Sequence, residues 1–143
     1  MPIPPYSMSN FAQSGVFNHL LRTASMTKPS TISIALCANV PGEGSHGGSM
    51  FEVANAGSYA RTVHSSGDVF WNHLSAGSGS NIAQVTFTQA TADWGYVSGI
   101  ALVDSSTYGA GNIIMYGSLV TPRIVLNGDQ FKFNAANLTV VID

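Results

Sequence analysis

From residue 29 onward the sequence follows a hydrophobic period of two, the spacing of a strand that buries one face. Residues 32–37 alternate large apolar with smaller side chains. Eight further segments have strand character: residues 59–64, 69–74, 82–88, 96–104, 113–119, 123–126, 130–134 and 138–142. No second helical pattern lies between them to connect parallel strands. The sequence therefore predicts an all-β protein, an antiparallel β-sandwich with jelly-roll-like topology.

The first 28 residues differ from the rest. Prolines in residues 1–7 exclude a helix there and predict an extended N-terminal arm. A short helix over residues 9–24 follows, with Ser9 or Asn10 as its N-cap and Pro29 beyond its end. Its apolar stripe consists of Phe17, Leu20, Leu21 and Ala24. We expect residues 1–28 to form an arm and helix packed on a β-sandwich of residues 29–143.

Two connections carry specific expectations. Asn127-Gly128 tolerates positive φ and predicts a type I′ hairpin that joins residues 124–126 to residues 131–133. Residues 39–51 are rich in Gly and Ser, which predicts a flexible loop unless a neighbouring chain holds it.

Composition excludes several classes of function. Only 8% of the 143 residues are charged, against about 25% in typical domains, and such a surface favours association over a free monomer. The five Lys and Arg residues form no basic stripe, so we expect no nucleic-acid partner. No apolar run approaches the roughly 20 residues of a membrane span, and the N-terminal residues lack the basic-then-apolar pattern of a signal peptide. We expect a soluble chain made in the cytoplasm, with no membrane partner.

Catalytic, cofactor and metal sites are not expected. Residues 42–47 match G-x-G-x-x-G, but no helix follows to receive a pyrophosphate. The four histidines include no His-x-His pair, the single Cys37 has no metal-binding partner, and the G-x-S-x-G elbow is missing. The sequence predicts a protein that is not an enzyme and needs no cofactor.

Three aromatic residues are candidates for contact with a glycan or another subunit: Trp71, Trp94 and Tyr108. Aromatic rings can stack on sugars, but tryptophans are more often core residues with a satisfied N–H group. For Trp71 and Trp94 the core interpretation is favoured.

The order of short segments along the chain resembles small virion proteins of tailed bacteriophages, a group that includes capsid cement or decoration, head-fibre and tail-fibre-like proteins. The resemblance runs through residues 18–23 (NHLLRT), 28–32 (KPSTI), 34–37 (IALC), 52–53 (EV), 57–61 (GSYAR), 85–87 (VTF), 90–95 (ATADWG), 100–104 (IALVD), 116–119 (YGSL), 128–129 (GD) and 138–143 (LTVVID). Two segments depart from the group: residues 1–17 are longer and richer in proline, and residues 69–74 are more aromatic.

The resemblance implies a β-sandwich subunit that forms homotrimers on the outside of a virion. As capsid cement, the trimer would bind the major capsid protein and stabilise the shell against internal DNA pressure. As a tail or fibre protein, it would bind tail proteins or a host receptor, such as a surface glycan. The small size favours cement, because a tail fibre normally adds an attachment domain and a shaft.

The N-terminal arm is the candidate docking segment. Its prolines reduce the entropy lost on ordering, and its apolar side chains supply anchors. Terminal disorder is the alternative interpretation. The candidate partner-binding residues are Pro2, Ile3, Pro4, Pro5, Tyr6 and Phe11.

Overall fold

The computed structural model describes residues 6–142, with side chains from Ser7 onward, and these residues form one helix and ten strands. Helix α1 spans Asn10–Leu21. The strands are β1 (Tyr6–Met8), β2 (Thr31–Cys37), β3 (Thr62–Ser65), β4 (Trp71–Ser75), β5 (Ser78–Asn81), β6 (Val85–Thr86), β7 (Gly95–Val103), β8 (Ile113–Val125), β9 (Lys132–Phe133) and β10 (Thr139–Val141).

All strand pairs are antiparallel, in a five-stranded sheet β1-β8-β7-β2-β3, a three-stranded sheet β10-β5-β4 and a two-stranded sheet β6-β9. One hydrophobic core joins them, since Ile34 and Ile100 of the large sheet belong to the same cluster as Val85 of β6 and Leu138 beside β10. The predicted all-β antiparallel architecture with a short N-terminal helix is confirmed.

The central strand β2 is buried on both faces, although the alternation of large and small side chains in residues 32–37 predicted that only one face is buried. Ile34 and Leu36 face the main core, while Ala35 and Cys37 belong to a second cluster with Met50. Met50 comes from the glycine-rich segment 39–51, which therefore covers the second face of the large sheet. The sequence could not show this, because small side chains such as Ala35 indicate neither exposure nor a close-packed cover.

A buried ion pair fixes this segment. Arg61 donates through Nε and Nη2 to the two carboxylate oxygens of Glu52, at 2.8 and 2.9 Å. Its Nη1 donates to the carbonyl oxygens of Ser105 and Ala110, at 2.8 and 2.9 Å. Nearby, the N–H of Gly47 donates to the Gly111 carbonyl at 2.9 Å. The prediction of a flexible loop over residues 39–51 is thus wrong, because contacts within the same chain hold this segment in place.

Residues 113–125 form one strand where two were predicted. β8 carries a large bulge, because its partner residues on β7 jump from Val97↔Arg123 to Gly99↔Ser118. The bulged residues 119–122 include Pro122, which is tolerated because it lies outside the regular ladder. The predicted gap between two strands was therefore a bulge within one.

The prediction of a type I′ hairpin at Asn127-Gly128 is also wrong. A turn is present, since the N–H of Asp129 donates to the Leu126 carbonyl, but of the two central residues only Gly128 has positive φ, whereas type I′ requires it at both. After the turn the chain leaves the large sheet, and β9 pairs with β6 instead of β8. The N–H of Asn127 is bonded to Asp93 Oδ1 at 2.8 Å, which fixes this exit.

Other boundaries differ more modestly. The helix begins after the predicted N-cap Ser9 but ends at Leu21, three residues early. Strand β5 occupies Ser78–Asn81, where no strand was predicted because the segment is polar, and the turn before it lies at Ala76, with φ of 46°. The predicted strand over residues 82–88 is reduced to β6.

Candidate functional site

The helix α1 presents its large apolar side chains to solvent. Phe17, Leu20 and Leu21 are 55, 70 and 71% exposed, and Ala12 is the buried residue of the helix. Positions i, i+3 and i+4 share one helix face, so these three side chains form one patch, which we call the α1 apolar face. The sequence identified this stripe but implied that it packs on the sandwich, and the structure turns it outward.

The orientation of α1 follows from how it is anchored. The N-cap Ser9 accepts a hydrogen bond from the N–H of Ala12 at 3.1 Å, and its hydroxyl donates to the carbonyl of Ile113 on β8. The N–H of Asn10 donates to the Glu43 carbonyl at 2.8 Å. These contacts fix the first turn against the body of the protein.

Gly15 and His19 contact Met26, in the segment that follows α1. Gly15 lies so close to Met26 that a Cβ atom there would be 2.9 Å from its sulfur. One turn further on, His19 Nδ1 accepts from the N–H of Met26 at 3.3 Å. Ala12, Gly15 and His19 follow i, i+3 and i+7 and therefore share one face of α1, on which Ala12 is buried. The large apolar residues are left on the opposite side.

The structure describes only part of the predicted arm. Pro2, Ile3, Pro4 and Pro5 lie outside the described residues. The backbone of Tyr6 opens β1 and pairs with Gly117 of β8, so the described end of the arm belongs to the large sheet of its own chain. Phe11 is 46% exposed and lines a cavity of about 500 Å³ between α1 and residues 25–29.

Trp94 and Tyr108 both pack edge to face with Tyr59, with ring centroids at 5.3 and 6.3 Å from it. Trp94 is 8% exposed, and its Nε1–H donates to the Gly57 carbonyl at 2.8 Å. Its faces are occupied by the core, as the favoured interpretation expected, so it offers no platform for a sugar. Tyr108 is 39% exposed at the edge of this aromatic row.

Trp71 belongs to a different surface, on the three-stranded sheet. It is half-buried against Phe70, with the rings edge to face at 5.0 Å. It lines a shallow groove of about 330 Å³ with polar side chains from Asp68, Asn72 and His73. Neither Trp94 nor Tyr108 lines this groove. Of the three aromatic candidates, Trp71 alone combines a partly accessible ring with polar neighbours in a concave surface.

Chemical groups elsewhere are held in structural roles. Burial raises the pKa of the Cys37 thiol to about 12, with a further rise from Glu52. Burial also raises the pKa of Tyr59, whose hydroxyl donates to Glu52 Oε1 at 2.9 Å and accepts from the N–H of Leu36. Burial lowers the pKa of His64, which stacks on Phe70 with centroids 4.0 Å apart.

Across residues 7–142, no group of three His, Cys, Asp or Glu side chains is arranged to hold a metal ion. Within the same part of the chain, no helix has the length and apolar character needed to cross a membrane.

Comparison with known proteins gives one family. A family model described as Podophage GP4 fiber I protein gp80 matches residues 7–141, nearly the whole chain. A search of curated proteins finds no match.

Proposed function

We propose a function on one premise: the chain belongs to the podophage GP4 fiber I protein gp80 family, and is therefore a fibre-type structural protein of the phage virion. In this proposal the chain assembles as a homotrimer and attaches to the outer surface of the capsid, with the major capsid protein as its partner. No catalytic step is part of the proposal.

The observation that carries the proposal is the α1 apolar face. Phe17, Leu20 and Leu21 are exposed on one helix although burial of each such side chain is worth about 1.5–3 kcal/mol. A contiguous apolar patch on a surface marks an interaction site. With only 8% charged residues in the chain, docking relies on apolar burial and hydrogen bonds instead of long-range electrostatic attraction.

A trimer strengthens this attachment. Three copies present three α1 apolar faces, and binding of the first raises the effective concentration of the others at the capsid surface. If the three faces contact neighbouring capsid subunits, the trimer links those subunits and acts as cement against internal pressure.

Localisation in purified particles tests the proposal. Cryo-EM density together with quantitative mass spectrometry would give the position and copy number of the chain relative to the major capsid protein. Hundreds of copies over capsid seams support attachment as cement. A few copies at the tail would overturn the capsid location.

A variant pair tests the role of α1. The double substitution Leu20→Ser, Leu21→Ser removes the two most exposed side chains of the α1 apolar face without disturbing the core, and we expect it to abolish decoration of bare particles in a co-sedimentation assay. Val69→Ser is the matched control, because Val69 is 85% exposed on a different surface. Equal decoration by both variants would exclude the α1 apolar face as the docking surface.

The second candidate function is recognition of a host receptor by a tail-located or fibre-located protein. The groove at Trp71 favours it, since an aromatic ring beside Asp68, Asn72 and His73 suits a saccharide. Here Trp71→Ala is expected to lower adsorption of phage to host cells while the chain remains on the particle. Unchanged adsorption would reject this candidate.

A further inference from the structure

Two adjoining clefts lie where β8 and β9 fail to form the expected hairpin. Their volumes are about 340 and 360 Å³, and they share four lining residues: Arg123, Phe131, Lys132 and Asn134. The bulge of β8 forms one wall, and residues 131–134 form the other. Each volume is near the lower end of the range for small-molecule sites. We call the two together the β8–β9 cleft.

The charges in this cleft are unusual for so neutral a chain. Arg123 and Lys132 are both exposed, and both line both halves of the cleft. In the described part of the chain the ion pair of Arg61 with Glu52 is the only one, so no carboxylate of that part forms an ion pair with either cation. Asp129 is the single carboxylate that lines the cleft, in one half of it, where its Oδ2 accepts from the N–H of Leu126 at 2.9 Å; the cleft is thus lined by two cations and one carboxylate. Two of the chain's five cations therefore converge on one concave surface.

The other lining groups are hydroxyls, amides and one accessible aromatic ring. Ser118, Thr121 and Asn137 contribute polar groups to the half of about 340 Å³. Phe133 is half-buried, with its ring edge to face against the buried Phe131 at 5.2 Å. The Oδ1 of Asn134 accepts from Gln84 Nε2 at 2.9 Å, so it is the amide N–H₂ of Asn134 that can donate to a ligand. Such a mixture suits the hydroxyls and apolar C–H face of a sugar.

Addition of an extended peptide strand is disfavoured at this edge. The outer part of β8 is bulged over residues 119–122, and Pro122 has no N–H group to donate. Bulges, prolines and cationic side chains are the features that protect sheet edges from pairing with another chain. A ligand of this cleft is therefore expected to bind to side chains, not to pair with the backbone of β8.

We propose that the β8–β9 cleft binds an anionic saccharide unit. The guanidinium of Arg123 and the ammonium of Lys132 bind its carboxylate or phosphate. The sugar ring packs on Phe133, and its hydroxyls bond to the polar groups of the bulged wall. This site is distinct from the α1 apolar face and from the groove at Trp71, and it does not depend on where in the virion the chain is attached.

Titration of the full chain with defined sugars tests the site. We would measure binding of a galacturonate trisaccharide, its methyl ester and glucose 6-phosphate by isothermal calorimetry and saturation-transfer NMR. We expect an anionic sugar to bind at least 10-fold more tightly than the neutral ester, with affinity falling as salt rises. Arg123→Gln and Lys132→Gln should each weaken binding about 10-fold, while Lys28→Gln, which changes an exposed cation elsewhere, should not.

Three results would overturn the proposal: equal affinity for the ester and the acid, unchanged affinity in the Arg123→Gln, Lys132→Gln double variant, or tighter binding of a hexaglutamate peptide than of any sugar. The last result would identify the cleft as a protein interface. The Leu20→Ser, Leu21→Ser variant should retain sugar binding, and the Arg123→Gln variant should retain particle decoration, so the two proposals fail independently.

Discussion

Arg61 and Glu52 form a bidentate ion pair whose side chains are only 1 and 3% exposed. The hydrogen bonds and the charge of Glu52 raise the pKa of Arg61 despite the opposing effect of its burial. The same guanidinium bonds the carbonyls of Ser105 and Ala110. One side chain therefore ties together the glycine-rich segment, the end of β7 and the loop before β8.

Loss of Glu52 should be strongly destabilising. Glu52→Leu leaves the Arg61 cation buried without a counter-charge, a change that costs about 3–5 kcal/mol. Adding Arg61→Met should recover part of this loss. Chemical denaturation measures both, with the exposed Lys28→Met as control, expected within about 0.5 kcal/mol of the parent. A Glu52→Leu protein as stable as the control would refute the role assigned to the ion pair.

Two glycines of one loop should respond differently to the same substitution. A Cβ at Gly47 would lie 1.9 Å from the carbonyl oxygen of Ala110, whereas at Gly44 the nearest atom would be 3.8 Å away. We expect Gly47→Ala to lower the free energy of unfolding by about 1–3 kcal/mol or more, through backbone displacement. Gly44→Ala should have little effect. Similar melting temperatures for the two variants would contradict the close packing of this loop.

The Cys37 thiol should be inert in the folded protein. It is fully buried, and a pKa of about 12 leaves almost no thiolate at pH 8. Labelling with a thiol-reactive disulfide should therefore follow unfolding, with rapid stoichiometric reaction only in denaturant. Complete labelling of the native protein within minutes would show that the segment covering the second face of the large sheet opens readily.

His64 should make stability fall in mild acid. Its pKa is lowered by burial, so the unfolded chain takes up a proton first as the pH falls through about 6.5. This loss of stability is absent above the pKa of His64 in the unfolded chain, and it grows as the pH falls towards the lower pKa of His64 in the folded protein. His64→Phe keeps a ring against Phe70 but cannot titrate, so its stability should decline less between pH 7 and 5. Equal slopes for the two proteins would exclude this effect.

Local features were largely predictable. Ser9 was available as N-cap and is the N-cap, because capping depends on residues three apart. The alternation in residues 32–37 correctly placed a strand there. The order of short segments was also sufficient to indicate a tailed-phage virion protein, which the family match supports.

The pairing of strands and the convergence of distant residues on one surface were not predictable in the same way. β9 was expected beside residues 124–126, yet it pairs with β6, more than forty residues away. Trp71 was a candidate for contact with a glycan, although the core interpretation was favoured for it, and Arg123 and Lys132 were only two of five cations that form no basic stripe. Their convergence depends on a bulge and on an unformed hairpin, and neither has a local sequence pattern that distinguishes it from an ordinary turn.

The sequence by itself determined the antiparallel β-class, the short capped helix and the low charge, because periodicity, capping and composition act over a few neighbouring residues. Only the tertiary structure decided what covers each face. Periodicity shows that Phe17, Leu20 and Leu21 share one side of α1 but not whether that side meets the core. Anchoring of Ser9 on β8 and contact of Gly15 with Met26 turn the small face inward, and this leaves the α1 apolar face exposed to solvent.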